Sequence, residues 1–418
     1  MFLIEYPVSL NHLEPPAIIA QAPINSASDS TFPLVSELEE LLKEQDDITT
    51  QVEELENRVT DLQEEQVSPV ITLSGEAIFG VSDVAGNDIN ENSRFDRSIE
   101  LVLEASFTGD DQLEIGIEAG SAGEFSFNDE ITAEGQLSFL TDTEDNFELS
   151  ELSYEFPIGD DGSIYISTTG DDLDDFNPFL EDSLIGSISE FGSENPIHSL
   201  VEDVGIQINY EPIDDVEIGI GYFADSASDS STGLFNRNNS AFLQVGYEPS
   251  DDLLLGFTYV HTNNDSSLET DTGSFRSQVD VEQPVIGNSY GLAGNWAPND
   301  WLAVGGWVGY TNARVIDEGD AYILNYALTL AFPDLGKEDN LLGFIIGQEP
   351  KLVGTSDGFT IDDRRSDPDT SFHIEGFYTH RLNEYLSITP GFIWLTAPDH
   401  NNNNDDIVLF TVRTAFEF

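Results

Sequence analysis

The sequence predicts an all-β transmembrane barrel of about 16 antiparallel strands, up-and-down, preceded by an N-terminal coiled-coil helix. Three observations carry that prediction. From Val70 to the end, apolar residues recur with a period of two, which puts them on one face of a strand. The links between these segments alternate between long and short. No run approaches the ~20 apolar residues that a membrane-spanning helix needs, so a membrane would have to be crossed by strands.

The last segment is the clearest strand. Counting back in twos gives Phe418, Phe416, Thr414, Val412, Phe410 and Val408, with Glu417, Arg413 and Thr411 between them. A closed barrel needs such a strand to pair with its first and leave no edge. The first is Val70 to Val81, where Ile71, Leu73, Ala77, Phe79 and Val81 alternate with Thr72, Ser74 and Glu76. Ile99 to Phe107, Leu113 to Ile117, Val216 to Tyr222 and Tyr322 to Phe332 repeat the pattern.

Short links are expected at 108–111, 157–162, 212–215, 249–252, 298–300, 333–340 and 382–384. Long links are expected at 83–97, 120–146, 170–203, 227–239, 263–286, 313–319, 349–369 and 397–404. Gln136 to Leu140 also has strand character, but the alternation holds only if it lies inside the second long link. Several short links are Pro-containing turns that follow an aromatic residue. Tyr210-Glu-Pro-Ile-Asp-Asp215 and Tyr247-Glu-Pro-Ser-Asp-Asp252 match, and Trp296-Ala-Pro-Asn-Asp300 is a looser copy. Pro presets φ for a tight turn. The aromatics would form one interfacial girdle, with Tyr222, Tyr259 and Tyr310 in a second.

Ahead of the barrel, residues 1–33 read as a linker or remnant signal. Ala20-Gln21-Ala22 resembles a cleavage site, but no Lys or Arg precedes it and Glu14-Pro15-Pro16 breaks the apolar stretch. Residues 34–66 carry heptads. Leu38, Gln45, Val52 and Val59 fall seven apart, and Leu34, Leu41, Ile48, Leu55 and Leu62 form the second row. This pattern predicts a coiled coil and therefore an oligomer. The expected domains are thus 1–33, 34–66 and 70–418.

Charge excludes one class of partner. There are 81 acidic and 13 basic residues, for a net charge of −68, so a nucleic-acid backbone would be repelled. The acid suits either a screened surface in a salty medium or a field that attracts cations. No nucleophile elbow, phosphate loop or His-Glu-x-x-His motif occurs, so no enzyme activity, cofactor or metal is predicted. His373 and Glu375 lie two apart on one strand face but lack a third ligand.

Several segments together resemble a known family. They are Gly287-Asn-Ser-Tyr-Gly-Leu292, Gly305-Gly-Trp-Val-Gly-Tyr-Thr-Asn-Ala-Arg314, Ala331-Phe-Pro-Asp-Leu-Gly-Lys337, His373-Ile-Glu-Gly-Phe-Tyr378, Ile388-Thr-Pro-Gly-Phe-Ile-Trp-Leu-Thr396 and the run ending at Val408. With the coil feeding into Leu73-Ser-Gly-Glu-Ala-Ile-Phe79, the chain resembles cyanobacterial outer-membrane porins, also called iron uptake porins, of the carbohydrate-selective OprB family. The resemblance implies a passive diffusion channel for ions and small hydrophilic solutes, inorganic iron or carbohydrates among them. It also implies a homo-oligomer in the lipid bilayer of the bacterial outer membrane, a trimer before a dimer, with the coil in the periplasm. The family's surface-layer-homology domain usually precedes the coil, and residues 1–33 are too short for one. A second reading is a structural tether with a nearly closed barrel.

For a pore, selectivity comes from charge rings and constrictions. The 170–203 link is the longest. It is expected to fold into the lumen and bring Asp171, Asp172, Asp174, Asp175 and Glu181 to the narrowest part. Strand parity places Glu100, Glu104, Glu114, Glu118, Glu151, Glu155 and Arg413 on the lumen wall. Arg314, Arg364, Arg365 and Arg381 are expected to supply opposing basic groups, making the pore cation-preferring. Phe418 is expected to act as an assembly signal.

Overall fold

The computed structural model describes residues 70–418 except 87–91, 123–131, 140, 169–172, 174–185, 202–203, 214, 226, 228–229 and 232. The 1–33 and 34–66 segments therefore lie outside the described residues.

Sixteen strands close into one antiparallel barrel in sequence order. They are β1 (Val70–Ala85), β2 (Arg94–Ser106), β3 (Gln112–Ser121), β4 (Glu148–Pro157), β5 (Gly162–Ser167), β6 (Val204–Ile213), β7 (Val216–Ala224) and β8 (Asn239–Ser250). The second half comprises β9 (Leu253–Asn264), β10 (Val285–Asn299), β11 (Leu302–Val315), β12 (Gly319–Pro333), β13 (Leu341–Thr355), β14 (Phe372–Asn383), β15 (Leu386–Thr396) and β16 (Ile407–Glu417). The seam is the pairing of β16 with β1, from Glu76↔Glu417 to Ala85↔Val408. Past β16, Phe418 exchanges two backbone hydrogen bonds with Gly75, at 2.9 and 3.0 Å. A side chain on Gly75 would meet the Phe418 ring and the Glu100 carbonyl.

Alternation sets the two faces. Phe410, Val412 and Phe416 of β16 point outward and are exposed, as are Ile206 and Ile208 of β6, Leu255 and Phe257 of β9, and Leu328 of β12. This belt is the surface a bilayer covers. Tyr210, Tyr247 and Trp296 are exposed beside the short turns, and Tyr310 near the other rim, in keeping with two aromatic girdles.

One expectation about the links differs in the structure. The expected long link 313–319 is a three-residue connection, 316–318, shorter than the 334–340 turn at the opposite end. At 14 and 15 residues, β11 and β12 are longer than the ~10 a bilayer needs, and they close on Asp317, whose φ is 65°, a conformation Asp tolerates in tight turns. Link length thus does not alternate strictly, although the strand count stands. Leu137 makes one isolated bridge, to Ser189, and belongs to no barrel strand.

Candidate pore constriction

Parts of two loops lie inside the barrel. From Gly186 to Val201 the third loop (168–203) packs against inward residues of strands from β7 to β16. Ser189 caps a single helical turn, α1 (Glu190–Ser193), its hydroxyl accepting from the Gly192 amide at 3.0 Å. Phe191 is fully buried between Trp307 of β11 and His373 of β14, with ring centroids 5.7 and 5.0 Å away. Further along, Ile197, Leu200 and Val201 join Phe223, Phe242 and Val260 in an apolar cluster inside the barrel. The second loop (122–147) lies beside it. Ser138 donates its amide to the Ile188 carbonyl at 3.3 Å, and Glu190 donates to the Gln136 carbonyl at 3.1 Å.

Buried charges fasten these loops to the wall. Glu375 of β14 accepts from the Ile188 amide at 2.9 Å and from the Ser189 hydroxyl. Arg413 of β16 donates to the Gly186 carbonyl at 3.0 Å and lies 5.4 Å from the centre of the Phe139 ring. Glu349 of β13 accepts from the Gly135 amide at 3.2 Å, from the Thr272 hydroxyl and from His373 Nδ1 at 2.6 Å. Glu349 sits where the register of β13 against β12 shifts, and bulges commonly re-aim a side chain in this way.

The expected site residues fall in distinct places. Asp171, Asp172, Asp174, Asp175 and Glu181 lie outside the described residues. Register carries Glu100, Glu104, Glu114, Glu118, Glu151 and Glu155 onto the same face as Arg413. Arg413 pairs with Gly80, Glu76 on that face pairs with Glu100, and the row continues through Glu100↔Glu118, Glu104↔Glu114 and Gln112↔Glu155. Glu76, Glu217 and Glu417 share the face but were not singled out by the sequence pattern. Arg314 is on the outer face, because even positions of β11 such as Val308 and Tyr310 point outward. There it pairs with Asp320 directly across the β11–β12 ladder, at 2.8 Å. It is therefore not a pore residue. Arg364 and Arg365 are exposed on the seventh loop (356–371), where Arg365 pairs with Asp357 at 3.0 Å. Neither occupies a position on the strand wall of the lumen. Arg381 pairs with Glu417 at the turn end of the lumen, at 3.1 Å.

His373 and Glu375 are held by each other and by their neighbours. His373 Nε2 lies 3.3 Å from Glu375 while Nδ1 faces Glu349. Among the described residues no group of His, Asp and Glu is arranged to hold a metal ion.

The two sides of the lumen differ. Inward residues of β8–β12 are uncharged and buried under the third loop and its neighbours: Ser240, Gln244, Thr258, Ser289, Thr311, Asn325 and Thr329. Inward residues of β1–β7 are rich in glutamate and only partly covered. At the turn end of this side, a cavity of about 530 Å³ is lined by Glu155, Asp160, Asp161, Glu211 and Glu217. Among the described residues the acidic side is thus the less covered of the two.

Comparison with known proteins agrees with this geometry. A family model described as carbohydrate-selective porin, OprB family, matches residues 27–418. An uncharacterized protein of Nostoc sp. is 32% identical over 403 residues, covering 88% of this chain and 68% of its own. One of Synechocystis sp. is 26% identical over 409 residues, covering 89% and 73%. Among solved structures, OprB of Pseudomonas putida at high pH superposes with a TM-score of 0.55 at 12% identity, covering 86% of this chain and 96% of that one. An anion-selective porin from Comamonas acidovorans gives 0.51 at 12% identity, covering 84% and 100%. A barrel that closes strand by strand, carries an apolar outer belt and folds a loop into its lumen thus coincides with a match over nearly all of the sequence: the chain belongs to the carbohydrate-selective porin, OprB family, of the outer membrane.

Proposed function

We propose that the barrel is a passive, cation-preferring diffusion channel for ions and small hydrophilic solutes. One observation carries the reading. Among the described residues the loops cover the neutral wall and the glutamate wall is only partly covered, which supports a path for solutes beside Glu100, Glu104, Glu114, Glu118, Glu151 and Glu155. Carboxylates exposed in a narrow aqueous path concentrate cations and oppose anions. In this reading Arg413 is the basic counterpart at the constriction, and Asp171, Asp172, Asp174, Asp175 and Glu181 of the third loop add to the acidic side. The family description supports carbohydrates as neutral solutes, and an acidic path also suits inorganic iron cations. The periodic seam at 34–66 and a solved neighbour described as an outer membrane protein in trimer form support a homo-oligomer, with the coil on the periplasmic side.

Reversal potentials in a KCl gradient test the selectivity. Wild type should favour K⁺. Changing Glu100, Glu114 and Glu118 together to Gln should lower the cation-to-anion permeability ratio several-fold. A wild-type preference for chloride, or a ratio unmoved by the triple change, would overturn the reading. Native mass of the purified protein reads the oligomer.

A further inference from the structure

A row of four fully buried side chains runs through the interior of the loop end: Glu134, Glu349, His373 and Glu375. Several loops meet on it. The second supplies Glu134 and, through the Gly135 amide, a donor to Glu349. The third supplies the Ile188 amide and the Ser189 hydroxyl to Glu375. The fifth (265–284) supplies Thr272 to Glu349. The eighth (397–406) supplies the Asp399 amide, which donates to Glu134 Oε2 at 2.6 Å. We propose that this row is a latch that locks the second and third loops into the lumen as one unit, and that loss of a proton from Glu134 releases it.

The neighbouring charges explain why Glu134 is the trigger. His373 already stands between two carboxylates, Glu349 and Glu375. His400 Nε2 is 3.9 Å from Glu134 but brings no positive charge. Its Nδ1 accepts from the Ser371 amide at 2.7 Å, so its one proton is on Nε2, and burial holds its pKa down to about 3. Arg276 is engaged by Asp367 and Asp399, at 3.3 and 3.2 Å. Lys351 donates to Thr370 at 2.8 Å, and Arg413 to the third-loop carbonyls. A second carboxylate charge beside Glu349 therefore has no counter-ion among the described residues, and a buried charge without one is strongly disfavoured.

The proton equilibrium agrees. Burial first, and then the Glu349 charge, push Glu134 from its ordinary 4.5 up to about 8. A raised value means that docking is fully supported below about 4.5 and is lost as pH rises through about 8. Release of the second loop would strip the third of the two backbone bonds that form its Leu137–Ser189 bridge.

The latch deepens the channel reading and can fail independently of it. The chain has no cysteine, so Leu137→Cys, at a buried position, reports exposure of the second loop. The assay is its rate of modification by a methanethiosulfonate reagent in the folded full-length barrel, divided by that of Asn402→Cys, an exposed control. Between pH 7 and 9.5 the ratio should rise roughly tenfold, as the deprotonated fraction of Glu134 does. Adding Glu134→Gln should keep it low. Channel conductance should rise over the same range in wild type only. Ser138→Cys replaces Leu137→Cys if the latter does not fold. A flat ratio to pH 9.5, or an equal rise with Glu134→Gln, overturns the latch. Absence of conductance at every pH overturns the channel reading instead, and the labelling ratio still decides the latch.

Discussion

Glu375→Ala should loosen the constriction loop without unfolding the barrel. The carboxylate accepts two hydrogen bonds from the third loop, from the Ile188 amide at 2.9 Å and from the Ser189 hydroxyl. Hydrogen bonds to a charged group contribute about 1.5–3 kcal/mol each. Two sum to about 3–6 kcal/mol, and the substitution also leaves the buried Ile188 amide and His373 Nε2 without that acceptor. Taking the lower bound, about 3 kcal/mol raises the undocked population by roughly two orders of magnitude, at 1.4 kcal/mol per tenfold. The loop remains attached through Arg413 and Phe191, so the expected behaviour is flicker rather than loss of the loop. Single-channel recording at fixed voltage reads it directly. The Ala variant should show raised open-channel noise and brief excursions to higher conductance. Glu375→Gln, which keeps one acceptor oxygen, should fall between the Ala variant and wild type. An Ala variant with wild-type conductance and noise, in a folded barrel, would refute the assignment of Glu375 as the anchor.

Two other outcomes are expected. Asp111 gathers the Phe107 and Thr108 amides, the Ser106 and Thr108 hydroxyls and, at 2.7 Å, the Tyr154 hydroxyl. These bonds, led by Thr108, hold its carboxyl well below the usual range, so its contribution persists above the ordinary carboxylate pKa and is lost only in strong acid; Asp111→Asn should lower the temperature at which the barrel band shifts on a gel at pH 7, and an unchanged temperature would count against this turn as an anchor. Deleting Phe418 removes both backbone bonds to Gly75 and should reduce the yield of folded barrel in membranes severalfold, whereas wild-type yield would exclude an assembly role.

The barrel was legible because a lipid-covered strand has a strong two-residue signature. Phe410, Val412 and Phe416 could be read outward and Arg413 inward from the sequence row alone, and the register agrees. Arg314 defeated the reading because the same alternation governs it. It is an even residue of β11, and its cross-strand partner Asp320 becomes visible only when the register is known. The 316–318 turn was hidden because β11 and β12 outrun the ~10 residues of a spanning strand, so the expected strand ends fell short of it. The fastening row was hardest to see. Glu134, Glu349, His373 and Glu375 come from three separate stretches, and only the fold brings them together. One signal was available: Phe139, Ile188, Phe191 and Ile197 are bulky apolar residues within loops, and such residues need an interior to occupy. Here that interior is the lumen itself.

The seam between β16 and β1 also bears on how the barrel reaches a single form. A slip of one residue along this pairing would turn Arg413 and Glu417 into hydrocarbon and bring Phe410, Val412 and Phe416 against the glutamates of the lumen. Slips by one are thus penalised at every position at once. A slip by two would preserve the faces but would displace Phe418 from Gly75, whose bare backbone leaves room for the ring. Parity rejects half of the wrong closures and the glycine opposes the nearest of the rest, so this joint proofreads its own assembly.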